Sequence, residues 1–307
     1  MNAVLKLFAL LMSLAASVVG ARPTADEASL RPLVDRLTAA DASTRAEAAC
    51  ELGRRRAASA AGALVALLPD GLEVGPVECG MSPWLRKLIE ARPEEWRKYA
   101  TSPGREAARA LARIGRPALD PLMTALSAPS PQARAHAAFG IGEMEAKEGR
   151  AEALGRLMQA VKDDDAGVRE AVVKTLGEIE NPEAVPALLA ALRDKATAVR
   201  AAAAWALGEI EDPRAVEGLM GALKDKDASV RRQVAWALGE LDDARAVPLL
   251  AKALGDVDPE VRQQAAWALG EIADPSAAGS LAKALKDASP EVRKQAAWAL
   301  GELRSQE

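Results

Sequence analysis

An all-α fold, a right-handed solenoid of stacked antiparallel helix pairs, is predicted by three observations. The first is repetition. Val168-Arg169, Val199-Arg200, Val230-Arg231, Val261-Arg262 and Val292-Arg293 recur every 31 residues, and Gly177-Glu178, Gly208-Glu209, Gly239-Glu240, Gly270-Glu271 and Gly301-Glu302 keep the same step. The second is composition. Apolar residues fill 50% of the 307 positions and aromatics only 3%, with Ala so common that closely packed helices follow, because Ala loses least on entering a helix. The third is an absence: no long Val/Ile/Thr/aromatic alternation, the signature of half-buried strands, runs through the chain. One helix pair of this size cannot bury its apolar face alone, whereas stacked pairs can.

Residues 1–21 carry one basic residue, Lys6, then an uncharged run from Leu7 to Ala21 that ends Val19-Gly20-Ala21. A basic start, a short apolar stretch and a small-x-small ending are the marks of a secretory signal peptide. The uncharged run is shorter than the roughly 20 residues a spanning helix needs. The expectation is therefore a secreted or periplasmic protein with no membrane partner after cleavage, an uncleaved anchor being the alternative. In an oxidising compartment Cys50 and Cys79 are candidates for one disulfide. Two unrelated cysteines, with Cys50 buried in a helix, are the competing reading.

Residues 22–69 read as a degenerate N-terminal repeat whose second helix covers Thr44–Gly53. From 70 to 103 the period fails among Gly71, Gly75, Pro76, Cys79, Gly80, Pro83 and Pro93, with Trp84, Trp96 and Tyr99 nearby, so this stretch reads as an insertion holding a short helix or two. The repeat array occupies 104–307, with second helices at Arg105–Ile114 and from Ala133 to Glu143. The next unit is offset because Glu145–Arg150 is expected to lengthen a turn. In the regular units Asp212-Pro213 and Asp274-Pro275 open the first helix, since Asp is a natural N-cap and Pro suits the first helical position.

This pattern resembles HEAT repeats of the short, 31-residue type, the group that includes phycobiliprotein lyase subunits and deoxyhypusine hydroxylase. The resemblance is closest over 151–303, looser over 104–150 and loosest over 30–68. It implies a superhelix whose second helices line the concave side.

On a helical wheel Val261, Ala265, Ala268, Leu269 and Ile272 share one apolar face, while Trp267 lies away from it beside Glu271 and Gln264. Repetition turns these into columns: Phe139, Trp205, Trp236, Trp267 and Trp298; Glu209, Glu240, Glu271 and Glu302, continued upstream by Glu143 and Glu178; and Gln233, Gln264 and Gln295. Two readings stand side by side: indoles packed flat on the neighbouring repeat, or a partner-binding groove of aromatic anchors flanked by carboxylates, suited to a protein or peptide with apolar and basic residues. A further row, Asp163, Arg169, Asp194, Arg200, Asp225, Arg231, Asp256, Arg262, Asp287 and Arg293, is expected to form a structural ladder of exposed pairs contributing little energy.

The net charge of −4 and the acidic column argue against nucleic acid, whose phosphates they repel. The hydroxylase resemblance would require His-Glu pairs on second helices to hold iron. The chain has a single His, His136, without an adjacent Glu, so no metal or other cofactor is expected. A non-catalytic interaction scaffold is the first reading. A hydroxylase-like oxidoreductase or a bilin-lyase-like protein is the alternative implied by the resemblance. End-to-end self-association is a third, because no polar capping repeat follows the last second helix.

Overall fold

The computed structural model describes residues 27–77, 79, 81, 100–145 and 147–305. The candidate signal peptide and the helix expected within the insertion lie outside the described residues. Among them stand sixteen α-helices, in eight antiparallel pairs. In chain order the pairs are α1 (Glu27–Arg36) with α2 (Ala42–Arg54), α3 (Ala61–Leu67) with α4 (Pro103–Ile114), α5 (Arg116–Ala125) with α6 (Pro131–Gly142), and α7 (Lys147–Ala160) with α8 (Ala166–Ile179). There follow α9 (Val185–Ala191) with α10 (Thr197–Ile210), α11 (Val216–Ala222) with α12 (Ala228–Glu240), α13 (Val247–Ala253) with α14 (Pro259–Ile272), and α15 (Ala278–Ala284) with α16 (Pro290–Ser305). No helix among the described residues is long and apolar enough to cross a membrane.

The first helices of the regular units are shorter than expected. A single 3-10 turn such as Pro213–Ala215 precedes a seven-residue α-helix, and Asp212 caps the turn by accepting from the Arg214 amide at 2.9 Å. Proline at the turn's first position fixes the backbone there and removes a donor that would have no partner. The stretch around 145–150, expected to lengthen a turn, instead starts α7, which runs uninterrupted for 14 residues. Its sequence has no proline to break it into turn and helix.

A continuous core of Val, Leu and Ala links α2 to α16, with Val199, Leu207, Val230, Leu238, Val261 and Leu269 fully buried. Successive second helices (α8, α10, α12, α14, α16) pack directly on one another, while consecutive first helices in this half meet only slightly. The second helices therefore form one continuous layer running along the array.

The Arg–Asp row is a joint between repeats. Arg169 donates from Nε and Nη2 to both carboxylate oxygens of Asp194, at 2.7 and 2.8 Å, and from Nη1 to the carbonyls of Asp163 and Asp164. Arg200–Asp225, Arg231–Asp256 and Arg262–Asp287 repeat this fork. Each Arg thus reaches forward into the next unit, 25 residues on. Asp163 serves Arg134, and Arg45 reaches Asp70 at 2.6 Å, so two earlier units share the device. Arg293 donates only to the Asp287 and Ala288 carbonyls.

The expectation of exposed pairs is corrected. The Arg200 and Asp225 side chains are only 7% and 12% exposed, because the pair lies in the seam between two units rather than across their outer surface. Bidentate, charge-assisted bonds in such a seam are among the stronger polar contacts. They hold Asp194 and Asp225 below the ordinary carboxylate range, chiefly through the arginine hydrogen bonds.

The insertion is anchored at its base. Val74 and Thr101 exchange backbone hydrogen bonds, both 2.9 Å, and a disulfide joins Cys50 of α2 to Cys79, with Cα atoms 6.1 Å apart.

Candidate functional site

The column of indoles is built on a column of glycines. A methyl group on Gly208 would stand 2.6 Å from Trp236 Cζ3 and 3.0 Å from the Ala237 Cα; on Gly239 it would meet Trp267 Cζ3 at 2.7 Å, and on Gly270 Trp298 Cζ3 at 2.5 Å. Trp205 meets Gly177 in the same way, at 2.9 Å. Each indole edge therefore presses on the bare backbone of the preceding second helix. Of the two readings of the column, this is the geometry of indoles packed on the neighbouring repeat: Trp205, Trp236 and Trp267 are half-buried, and Trp298 on the last helix is 37% exposed. The physical reason is the small residue at two positions, Gly on one helix and Ala on the next, which lets the backbones close until the indole has only one place to lie.

What remains open along the second-helix layer is the outer part of each indole, the half-exposed Gln233, Gln264 and Gln295, and the carboxylate column. Glu209, Glu240 and Glu302 are half-buried and Glu271 is exposed. Burial, followed by the repulsion of Glu211, Glu271 and Glu209, raises the Glu240 carboxyl above its ordinary range against a smaller opposing effect of Trp236.

The same columns change character upstream. At the indole position stand Lys174, Phe139, Arg109 and Cys50; at the carboxylate position Glu178 and Glu143 give way to Arg113 and Arg54. The Arg105 guanidinium lies over the Phe139 ring at 4.5 Å, and Arg109 at 5.6 Å. Arg109 is neutralised by the buried Glu106 at 2.6 Å, which also accepts from the Thr101 hydroxyl. This face is thus basic and aromatic around α4 and α6, and acidic and aromatic from α10 to α16.

Where the two zones meet, between α4, α6 and α8, is a cavity of about 310 Å³. Arg105, His136, Phe139, Lys174 and Glu178 line it together with Ala135, Ala171 and Gly167. No indole fills it because Lys174 occupies the Trp position and turns to Glu170 at 2.6 Å. The Glu178 carboxylate reaches over the bare Gly142 backbone instead. Burial and Glu143 hold that carboxyl above its ordinary range. Gly104, at the ladder-arginine position, lets α4 approach so closely that a methyl there would lie 2.5 Å from the Leu68 carbonyl and 2.6 Å from His136 Nδ1.

His136 Nδ1 sits 2.7 Å from the Leu68 carbonyl. A carbonyl only accepts, so Nδ1 carries the proton and Nε2 keeps its lone pair. Burial depresses the imidazole's pKa and favours this neutral form. Among the described residues no group of three or more His, Cys, Asp or Glu side chains converges as metal ligands do. Sequence reasoning reached the columns but not Arg105 or this pocket. The signal was present: the pocket is where the Trp column is interrupted and where Gly167 and Ala171 replace larger residues.

Comparison with known proteins bears on the fold. Residues 119–198, 185–257 and 247–307 match the family described as HEAT repeats, and residues 105–128 match the PBS lyase HEAT-like repeat. Kap95p, solved bound to RanGDP, is similar with a TM-score of 0.67 at 15% identity, over 95% of this chain and 44% of that one, so the chain spans under half of it. The complex of CpcE and CpcF of phycocyanin lyase from Nostoc sp. gives 0.41 at 22% identity, over 94% and 97% of the two chains, and an engineered protein 0.49 at 22% identity, over 92% of each. No curated protein matches. The repeat matches together cover residues 119–307, well over half of the sequence, and the chain belongs to the HEAT-repeat family.

Proposed function

We propose that the protein is a non-catalytic interaction scaffold that holds an extended, basic peptide segment of a partner protein along the inner face of α10, α12, α14 and α16. The observation that carries this reading is the row of Glu209, Glu240, Glu271 and Glu302 on successive second helices, in which burial first, and then the neighbouring glutamates, raise the Glu240 carboxyl. Like charges in a row destabilise the free protein, and cationic side chains laid along them relieve the repulsion. Packed helices are about 8–10 Å apart, and an extended chain rises about 3.3 Å per residue. A basic residue at every third position therefore meets successive carboxylates, and its stem or guanidinium finds the open part of an indole beside each one. The row repels phosphates, which disfavours nucleic acid.

Fluorescence anisotropy with a labelled (Lys-Gly-Gly)4 peptide tests this. Binding should weaken steeply with salt and fall roughly tenfold or more when Glu209, Glu240 and Glu271 are changed together to Gln, three charge-assisted contacts being lost. Equal binding by the triple variant, or by a (Gln-Gly-Gly)4 control, refutes the reading.

A further inference from the structure

The cavity between α4, α6 and α8 lies on the same inner face and is not explained by a purely cationic ligand. Among the described residues its lining, which also holds Glu170 and Glu178, contains one strong cation in no direct ion pair. Lys174 is paired with Glu170, and Arg109 with Glu106. Arg105 lies over the Phe139 ring and forms no direct salt bridge among the described residues, with Glu143, Glu106 and Glu178 acting on its charge from farther away. A guanidinium lying flat on a ring keeps its N–H edge free, and that edge matches a carboxylate. Beside it, His136 offers Nε2 as an acceptor for an N–H, while Phe139, Ala135 and Ala171 supply an apolar wall. About 310 Å³ is at the lower end for small-ligand sites, the size for one side chain or chain terminus rather than a large cofactor.

We infer that this pocket takes a peptide carboxylate, gripped by the Arg105 guanidinium, with a neighbouring peptide N–H donated to His136 Nε2. The inference rests on the inner face being a peptide groove, and it adds a polarity to that groove. The bound segment carries an acidic group at α4–α8 and basic residues along α10–α16. Partial desolvation of the Arg105 head group and the nearby Arg109 push its pKa down, against the opposing pull of Glu143, Glu106 and Glu178, and a bound anion adds to that pull. Glu178 marks the acidic border of the pocket, where the first basic residue of the segment follows.

His136 is the only histidine in the chain, so its ring signal in an NMR titration reports on this pocket alone. Three small probes are added to the full chain: N-acetyl-glutamate amide, N-acetyl-glutamine amide and N-acetyl-glycine. The expected result is a saturable shift with either carboxylate and none with the glutamine amide. The stronger of the two carboxylates tells a side chain from a chain terminus. Arg105→Gln, at an exposed position, should weaken the response roughly tenfold or more. Lys174→Trp should abolish it by restoring the indole column across the pocket. An equal shift with the glutamine amide, or unchanged affinity in Arg105→Gln, overturns the inference. This readout needs no basic peptide. A positive titration with no (Lys-Gly-Gly)4 binding would sink the groove and leave the carboxylate pocket standing, and the reverse outcome would do the opposite.

Discussion

Replacing Gly239 by Ala separates helix propensity from packing, because the two give opposite signs. Gly239 lies inside α12, where Ala is favoured over Gly by about 0.8–1 kcal/mol on propensity alone. The added methyl would stand 2.7 Å from Trp267 Cζ3 and 3.0 and 3.1 Å from the Cα and Cβ of Ala268. Two of these neighbours belong to backbone or to a Cβ fixed on it, so the clash cannot be relieved by one rotamer. Overpacking of this kind costs typically 1–3 kcal/mol, so the stabilisation should vanish or turn into a net loss of up to about 2 kcal/mol. Gly301 is the internal control: it occupies the same column in α16, and a methyl there meets nothing within 4 Å. Gly301→Ala should therefore stabilise by about 0.5–1 kcal/mol. Urea unfolding followed by circular dichroism measures both, with Trp fluorescence as a second probe because a repeat array need not unfold in one step. If Gly239→Ala is as stabilising as Gly301→Ala, the indole-on-glycine joint is not what holds α12 to α14.

Further outcomes follow from the same geometry. Arg200→Met leaves Asp225 unpaired in a seam where its side chain is 12% exposed, and should cost roughly 3 kcal/mol in chemical unfolding; a loss under about 0.5 kcal/mol would place the ladder among ordinary surface pairs. The ladder also predicts acid sensitivity. Asp194 and Asp225 are depressed by their arginines, and Glu51 is held down to about 2, mainly by Arg54. Their contribution is complete above the unfolded carboxylate range and is lost as pH falls through the lower folded values, so unfolding midpoints should drop below about pH 4, and in Arg200→Met that acid-dependent drop should be smaller. Glu211, at φ 52°, ends α10 in the left-handed region; Glu211→Gly should stabilise by about 1 kcal/mol and bring the Glu240 carboxyl, seen by ¹³C NMR, down toward its ordinary value. Reducing the Cys50–Cys79 bridge opens a loop with a sequence separation of 29 and should lower the unfolding midpoint of the N-terminal pairs, by about 3.5 kcal/mol in the chain-entropy model. Hydrogen exchange in α12–α16 should be unaffected.

Much of this was legible in the sequence because the period is so strict. Once Val261 and Ala265 face inward, Trp267 and Glu271 have fixed positions, and equivalent residues must line up from unit to unit. What the period could not give is which unit a side chain reaches. Arg200 lies six residues after Asp194 in its own unit, yet its fork closes on Asp225, because the Asp194 carboxylate already belongs to Arg169. Nor does a wheel show distance between helices: Trp267 points away from its own helix's core and is still half-buried, because Gly239 brings the neighbouring backbone beneath it. The uninterrupted α7 could have been read from the lack of proline in Lys147–Ala160. The pocket beside Lys174 required reading the columns for their exceptions rather than their rule.

The forward reach of each arginine and the backward press of each indole have a consequence for how such a chain can grow. Arg200 to Asp225 and Trp236 to Gly208 are both settled between adjoining units. A duplicated 31-residue cassette spliced in register, or one cleanly excised, therefore presents familiar partners on both flanks, and length can vary without any new joint being invented. Upstream, where Gly104 stands in place of the arginine and Lys174 in place of the tryptophan, the units are no longer interchangeable, and that is where individual chemistry had room to arise.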